Sequence, residues 1–201
     1  MTSLRINIGL PGAAGRMGGM LIREIAQATD LHLVAATDRV DSPHIGQDSG
    51  EVAGLASNGV LLSVDPTSLF LDADVVIDFS VPDASMHHVA LAAETGKAIV
   101  IGTTGLTSDQ EDMLRQAAKQ TAIVYCANTS VGVTLLTQLV EQVAAKLTTG
   151  WDIEILETHH HHKVDAPSGT ALALGKAAAR GRKADLDRVA DMVRKGQTGA
   201  R

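Results

Sequence analysis

Apolar and polar positions follow two different periods along this chain. Short apolar runs predict strands at Leu4–Gly9, Leu31–Ala36, Asp74–Ser80, Lys97–Ile101 and Thr121–Cys126. Between most of these runs, apolar residues recur at the three- to four-residue spacing of a helix that packs on one face. A strand followed repeatedly by a helix predicts right-handed crossovers and a parallel sheet, so the expected fold class is α/β.

Capping signals predict where several helices begin. Pro82 opens one predicted helix, and Ser108 is the expected N-cap of the next, with Glu111 completing a capping box. This second helix is expected to run to Gln120. The stretch 41–60 is rich in Gly, Ser and Asp and lacks strong periodicity, so it is interpreted as a loop.

Two adjacent histidines, His87 and His88, fall within the helix that Pro82 opens. Neighbouring positions on a helix face different directions, so the two rings do not form a metal site by themselves. Both are expected to be solvated or partly packed.

The chain is expected to form two domains, 1–129 and 130–201. A predicted helix at Ser130–Lys146 begins the second domain, because its apolar residues follow one stripe. An alternating run predicts a strand at Trp151–Thr158, and a further helix is expected from Ser168 to about residue 180. The second domain is therefore predicted to be α+β.

A glycine-rich loop follows the first predicted strand. Gly12 permits a tight turn, Gly15 lets a pyrophosphate approach the backbone, and Gly18 allows close packing of helix on strand. Asp38 lies 20 positions after Gly18 (38 minus 18), at the end of the next strand, where an acidic residue would accept the ribose hydroxyls. Arg39 could pair with a 2′-phosphate. The loop predicts a Rossmann-like site for NADH or NADPH, the alternative being a structural βα turn.

Composition narrows the expected partners. The 201 residues are 45% hydrophobic but only 2% aromatic, so the core must consist of Ala, Val, Leu and Ile. A net charge of -6 without a long basic run argues against nucleic-acid binding, and no apolar stretch is long enough for a membrane span. A single cysteine, Cys126, excludes an internal disulfide. We expect a cytoplasmic protein with a small-molecule partner.

Four consecutive histidines, from His159, precede Lys163 and a helix start at Ser168, Gly169 and Thr170. Zinc is disfavoured because consecutive residues point to alternate sides and no His-Glu-x-x-His pattern is present. A solvated loop without chemistry is a second interpretation. The third is an acid and anion site, in which His159 donates a proton, Lys163 adds positive charge and the helix start binds a carboxylate. This third interpretation suits a small dianionic substrate.

The segment Glu157–Ala171 resembles the signature of the dihydrodipicolinate reductase (4-hydroxy-tetrahydrodipicolinate reductase) family. Three other motifs, Gly12–Gly18, Gly102–Gly105 and Asn128–Val133, are similar to that family in order and spacing. The resemblance covers essentially the whole chain. It implies reduction of a cyclic unsaturated dicarboxylate in the diaminopimelate route to lysine, with hydride from NADH or NADPH.

The resemblance also implies roles for individual residues. His159 would be the proton donor and Lys163 the second catalytic group, while His160, Ser168, Gly169 and Thr170 would bind the substrate. No metal is implied. The residues implied to bind the cofactor are Gly12, Ala13, Ala14, Gly15, Arg16, Met17, Asp38, Arg39, Gly102, Thr103, Thr104, Cys126, Ala127, Asn128 and Thr129.

The chain departs from the family pattern at three places. Many relatives carry an aromatic residue at Thr129 and a Glu at Asp38. Relatives also continue well past Arg201, which predicts a substrate domain that is incomplete at its C-terminus and lacks interface elements of the homotetramer expected from the family. Two other functions are therefore kept as alternatives: a truncated, weakly active or inactive nucleotide-binding fragment, and a different NAD(P)-dependent dehydrogenase acting on a small dicarboxylate.

Overall fold

The computed structural model describes residues 5–126, 128–148, 150–159, 161, 163, 165–193 and 196–197. The chain divides into two compact units, Met1–Cys126 and Ala127–Arg201. Within the described residues, no helix combines the length and the apolar character that crossing a membrane requires.

The first unit contains a six-stranded sheet in which every pairing is parallel. Its strands are β1 Ile6–Pro11, β2 Leu31–Thr37, β3 Leu62–Ser63, β4 Val75–Asp78, β5 Ala98–Ile101 and β6 Ile123–Tyr125. Its helices are α1 Arg16–Gln27, α2 Ser49–Val52, α3 Thr67–Asp72, α4 Pro82–Thr95 and α5 Ser108–Ala117. The predicted parallel α/β sheet of Rossmann type is confirmed.

The order of strands in this sheet is β3-β2-β1-β4-β5-β6. The chain moves outward from β1 through β2 to β3, then returns to place β4 on the other side of β1. In open α/β sheets, ligands bind beyond the carboxyl ends of the strands at such a reversal. The reversal of strand order therefore indicates that a ligand would bind next to the segments that follow β1 and β4.

Two apolar clusters form the core of this unit. One packs α1 and α2 on β1 and β2, and includes Leu10 and Ile22; the other packs α3, α4 and α5 on β4 and β5, and includes Phe70 and Ile99. Buried strands of this kind are rich in Val, Ile and Ala on both faces, which explains how a chain with few aromatic residues forms a dense core.

Gly18 allows α1 to pack closely on the loop after β1. A Cβ atom at this position would lie 2.4 Å from the carbonyl oxygens of Gly12 and Ala13. Both obstacles are backbone atoms, so a rotamer change could not relieve the contact. The prediction that this glycine permits close packing agrees with the geometry.

The stretch 41–60, interpreted from sequence as a loop, contains the short helix α2 and is organised around Asp48. The carboxylate of Asp48 accepts hydrogen bonds from four backbone N–H groups and from the hydroxyl of Ser57. Burial alone would raise the pKa of Asp48, but these hydrogen bonds lower it to about 2. One side chain therefore holds together a segment with little apolar content.

The second unit contains two long helices that pack on each other, α6 Val131–Lys146 and α7 Gly169–Gly181. Ser130 and Ser168 are their N-caps. A short helix, α8 Leu186–Val189, and an antiparallel pair, β7 Asp165–Ala166 with β8 Gly196–Gln197, complete its described elements.

Two predicted boundaries of α5 and one predicted strand are wrong. The N-cap of α5 is Thr107, whose hydroxyl accepts from the Gln110 N–H while the Gln110 side chain returns to the Thr107 N–H. This helix ends at Ala117, before the predicted Gln120. The expected strand at Trp151–Thr158 is also not formed: none of these residues lies in a strand, and Trp151 remains 59% exposed. Alternation alone does not make a strand, which needs a hydrogen-bonded neighbour.

We predict that Gly18→Ala lowers the free energy of unfolding by about 1–3 kcal/mol, because its methyl group would press on two backbone carbonyls. Gly19→Ala is the matched control, since a Cβ there meets only the Arg23 side chain, at 3.6 Å. Ala is favoured over Gly inside a helix by up to about 1 kcal/mol, so this variant should be neutral or more stable. Urea unfolding of both variants tests the prediction, and equal stabilities would contradict it.

Candidate functional site

The glycine-rich loop joins β1 to α1 at the strand reversal. Gly12 adopts a positive φ of 65°, and its carbonyl accepts a hydrogen bond from the Gly15 N–H at 3.0 Å. Gly15 is the N-cap of α1 and has no side chain to cap it. The first amides of a helix have no acceptor within the helix, and the helix dipole is positive at this end. The loop can therefore hold an anionic phosphate.

Ala13, Ala14, Arg16 and Met17 complete the predicted cofactor segment around this helix start. Ala13 is buried, and its N–H donates to the carbonyl of Thr37 at the end of β2. Arg16 and Met17 are exposed in the first turn of α1. The loop is thus anchored to the neighbouring strand while its charged side chain faces solvent.

Asp38 and Arg39 lie directly beyond the carboxyl end of β2. The Asp38 carboxylate accepts hydrogen bonds from the Arg39 N–H at 2.8 Å and the Ser42 hydroxyl at 3.1 Å. The exposed Arg39 guanidinium lies 3.2 Å from a carboxylate oxygen of Asp41. Asp38 is thus held in place as an acceptor, whereas Arg39 is shared with a second acidic group.

A third predicted segment, Gly102–Thr104, begins where β5 ends. The Gly102 N–H donates to the backbone carbonyl of Asp78 at 2.8 Å. A Cβ on Gly102 would lie 2.0 Å from the Phe79 ring, so any other residue there would require that ring to move. Thr104 is exposed, but Thr103 is buried. A cofactor would therefore meet the backbone of Thr103 and not its side chain.

Beneath this segment lies a buried polar cluster that the sequence prediction did not identify. Its centre is Asp78, whose carboxylate lies 2.9 Å from Nδ1 of His88 and accepts from the Ser80 N–H at 2.7 Å. Ser85 donates to the Thr103 hydroxyl at 2.8 Å. Burial would raise the pKa of Asp78, but the hydrogen bonds from His88 and Ser80 and the charge of His88 lower it. The expectation of a solvated or partly packed His88 is wrong, whereas His87 is exposed.

The segment after β6 carries the last predicted cofactor residues. The Cys126 N–H donates to the carbonyl of Ile101, which ties this strand end to β5. Ala127 lies outside the described residues. Asn128 and Thr129 belong to the second unit, where Asn128 caps the turn before α6 by accepting from the Ser130 N–H at 2.8 Å.

In the second unit, Glu157 joins the predicted proton donor to the start of α7. One carboxylate oxygen accepts from the Ser168 N–H at 2.8 Å. The other accepts from the Ser168 hydroxyl and lies 2.8 Å from Nε2 of His159. Burial opposes ionisation of Glu157, but these hydrogen bonds and the charge of His159 lower its pKa to about 2. An ionised carboxylate can only accept, so Nε2 of His159 carries the hydrogen.

The start of α7 provides donors close to this group. Gly169 and Thr170 are its first two residues, whose amides have no acceptor within the helix. The Thr170 hydroxyl accepts from the Asn128 side-chain amide at 3.1 Å. The backbone N–H and the hydroxyl of Ser168 both donate to Glu157, so Ser168 serves chiefly to hold the helix start. A carboxylate would find Gly169 and Thr170 better placed to bind it.

Lys163 is half-buried, and His160 lies outside the described residues. Within the described part of the chain, no group of three or more potential metal ligands is present.

Sequence reasoning missed the roles of Glu157 and Asp78. Glu157 is the first residue of the histidine motif. An acidic residue two positions before a proposed proton donor could have indicated a hydrogen bond between the two side chains. Asp78 ends an apolar strand, where a buried carboxylate would be unexpected without a partner. Its partner, His88, could be identified only from the packing of α4.

Comparison with known proteins gives a consistent result over the two units. A family model described as "Dihydrodipicolinate reductase, N-terminus" matches residues 6–129, and one described as "Dihydrodipicolinate reductase, C-terminus" matches residues 132–200. The 4-hydroxy-tetrahydrodipicolinate reductase of Ruegeria pomeroyi is 50% identical over 96% of this chain and 71% of its own length. That of Rhizobium meliloti is 50% identical over 94% of this chain and 70% of its own length.

Solved structures agree with the sequence relatives. A dipicolinate-bound dihydrodipicolinate reductase from Paenisporosarcina sp. TG-14 is 28% identical, with a TM-score of 0.70 over 89% of this chain and 67% of that protein. An amine dehydrogenase from Mycobacterium smegmatis is 18% identical, with a TM-score of 0.55. The match covers 72% of this chain and 44% of the amine dehydrogenase chain. This second likeness concerns the fold alone.

We predict that Glu157→Gln destabilises the protein in a pH-dependent way. The folded-state pKa of about 2 lies below the ordinary value of 4.5, so the carboxylate stabilises the fold fully above pH 4.5 and loses this effect as the pH falls towards 2. The difference in unfolding free energy between the wild type and Glu157→Gln should therefore shrink below pH 4.5. Urea unfolding followed by circular dichroism measures it.

Glu154→Gln is the control, because Glu154 is an exposed carboxylate on the same segment. Its stability should follow that of the wild type at each pH. A constant difference for Glu157→Gln across the pH range would argue against a charged, hydrogen-bonded Glu157.

Proposed function

This chain belongs to the dihydrodipicolinate reductase family, and from that membership we propose which of its residues carry the reaction. It is an NAD(P)H-dependent oxidoreductase that reduces 4-hydroxy-tetrahydrodipicolinate to tetrahydrodipicolinate in the diaminopimelate route to lysine. The substrate loses one hydroxyl group, so the net change takes up a hydride and a proton and releases water. The bound nicotinamide supplies the hydride.

The first unit would hold the cofactor through its glycine-rich loop. The bare helix start at Gly15 suits the pyrophosphate, because it offers amides and a positive dipole end without a side chain in the way. Asp38 would accept the hydroxyls of the adenosine ribose, and Arg39 would pair with the 2′-phosphate of NADPH. Gly102 and Thr104 would line the path of the cofactor beyond β5.

The second unit would hold the substrate and supply the proton. The single observation that carries this assignment is the carboxylate of Glu157, which binds both His159 and the start of α7. In the imidazolium form of His159 both ring nitrogens carry a hydrogen, and because the Nε2 hydrogen is held by Glu157, we propose that the imidazolium delivers its Nδ1 proton and returns to the neutral ring. Glu157 itself, with a pKa of about 2, is ionised at neutral pH and cannot serve as the acid.

The remaining groups would bind the two substrate carboxylates. Gly169 and Thr170 offer amides at the start of α7, and Lys163 adds a positive charge that favours a dianion. His160 is included in this set on family resemblance. The Paenisporosarcina relative has dipicolinate, a dicarboxylate, bound in its structure, which supports the same class of ligand here.

The alternative of a different dehydrogenase has less support. Several other dehydrogenases share the fold, but their identity to this chain is 18–21%. The other alternative is a weakly active or inactive nucleotide-binding fragment, and the turnover assay described below distinguishes it from an active reductase.

Two further proposals concern the whole protein. A biosynthetic reductase that uses NADH or NADPH works where these cofactors are present, so we propose the cytoplasm. We also propose that this chain associates with copies of itself, because α6 keeps apolar residues such as Leu135, Leu139 and Val143 exposed. Light scattering coupled to size exclusion tests the second proposal.

We predict that the protein oxidises NADH or NADPH only when 4-hydroxy-tetrahydrodipicolinate is supplied. Lys163→Ala should lower kcat/KM for this substrate by at least about tenfold, as expected for losing a charged hydrogen bond, with little change in cofactor affinity. Lys176→Ala, which removes an exposed lysine of α7, is the control and should act as the wild type. Absorbance at the NADH band follows turnover, and titration calorimetry follows binding.

An intact cofactor affinity without turnover in the wild type would favour the inactive fragment. Equal losses of turnover and cofactor binding in Lys163→Ala would refute its assignment to the substrate.

We further predict that Arg39→Ala weakens NADPH binding relative to NADH binding. The expected change in the ratio of dissociation constants is about three- to tenfold, modest because Arg39 is exposed and shared with Asp41. Arg115→Ala, on the exposed face of α5, is the control. An unchanged ratio in Arg39→Ala would remove Arg39 from the 2′-phosphate site.

A further inference from the structure

Apart from Thr103, whose backbone would meet the cofactor, the buried polar cluster around Asp78 has no part in the chemistry assigned above. It comprises Asp78 at the end of β4, Ser80 just beyond it, Ser85 and His88 on α4, and Thr103 in the segment after β5. Asp78 and Ser85 are fully buried, and His88 is 6% exposed. The cluster thus links a strand, a helix and a loop through side chains removed from solvent.

A gain in folding stability does not by itself explain why a buried polar cluster is found at this place. Removing an ionisable pair from water is costly, and well-packed apolar residues in its place are often as stable or more stable. Apolar residues are next to Ser85 and His88 along α4, where Met86 and Val89 join the core. What a satisfied buried network does provide is a defined geometry for the groups that it binds.

The group that this network binds from two sides is the segment Gly102–Thr104. The Thr103 hydroxyl receives a hydrogen bond from Ser85 at 2.8 Å and lies 3.4 Å from the Asp78 carboxylate. The backbone carbonyl of Asp78 also receives the Gly102 N–H. Gly102 also lies close to the ring of Phe79. The segment is therefore fixed from below before any ligand arrives.

We propose that the buried His88–Asp78 pair and Ser85 form a positioning device for the cofactor: Asp78, held by His88, and Ser85 both bind the Thr103 hydroxyl, and together they hold Gly102–Thr104 in the conformation that binds the dinucleotide. His88 and Asp78 are positioning residues, since neither is placed in contact with cofactor or substrate. The proposal rests on the proposed cofactor site. A loop ordered in advance loses less conformational entropy on binding, so the pair sets affinity for the cofactor and not the rate of chemistry.

The test compares three variants of the full chain in binding NADH without substrate. His88→Leu removes the donor to Asp78. His88→Asn keeps an amide N–H near the position of Nδ1. Ser85→Ala removes the donor to Thr103 without leaving Asp78 unpaired. His87→Asn, at the exposed neighbouring position, is the matched control.

The dissociation constant for NADH is measured by titration at a temperature where circular dichroism reports every variant folded. We expect it to rise at least about tenfold in His88→Leu and about threefold in Ser85→Ala, and to stay within about twofold of the wild type in His88→Asn and His87→Asn. In steady-state assays KM for NADH should rise while kcat at saturating NADH is kept. Amide exchange at Gly102–Thr104 should be faster in the two weakened variants without ligand.

A purely structural cluster gives a different result. His88→Leu and Ser85→Ala would then melt at lower temperatures but bind NADH with wild-type affinity when folded, and this outcome overturns the proposal. Should His88→Leu fail to fold, Ser85→Ala decides: raised NADH dissociation constant and faster loop exchange support the proposal, and wild-type values overturn it. A wild-type protein that binds neither NADH nor NADPH would refute the proposed function, a failure visible before any variant is made.

Discussion

The strands of the first unit all run in the same direction, and this constraint decides where its functional groups lie. Parallel strands must be joined by crossovers, so every loop that follows a strand emerges at the same edge of the sheet. The glycine-rich loop, Asp38, the Asp78 cluster and Gly102–Thr104 therefore share one edge although they are far apart in sequence. The reversal of strand order between β1 and β4 opens space there for a ligand.

Within that edge, the backbone is positioned by contacts that tolerate little change. Gly18 brings α1 against the carbonyls of its own loop, and Gly102 brings the end of β5 against Phe79. At Gly18 the obstacles to a side chain are backbone atoms, whereas at Gly102 the obstacle is the ring of Phe79, which would have to move. The candidate site in the second unit is ordered differently. There the charged carboxylate of Glu157 accepts hydrogen bonds from His159 and from the Ser168 N–H.

Much of this architecture could be predicted from the sequence because the signals are local. The apolar runs predicted five of the six strands of the sheet, all but the two-residue β3, and the N-cap serines located the starts of α6 and α7 within a residue. The error at His88 has the opposite origin. Adjacent histidines on a helix must face different ways, but which one meets the core depends on how α4 packs on β4, and that information is not local. The predicted strand at Trp151–Thr158 failed for the same reason, because pairing requires a neighbour that periodicity cannot supply.

The position of Trp151 has a consequence for how this protein can be observed. It is the single tryptophan of the chain, it lies in the second unit, and it is largely exposed. Intrinsic tryptophan fluorescence therefore comes from one place and reports on the unit assigned to the substrate. The sheet of the first unit contributes no tryptophan signal. Tryptophan emission follows unfolding of the second unit, whereas far-ultraviolet circular dichroism follows the secondary structure of the whole chain. Comparing the two transitions reveals whether the units unfold together or one after the other, which a single optical probe would not show.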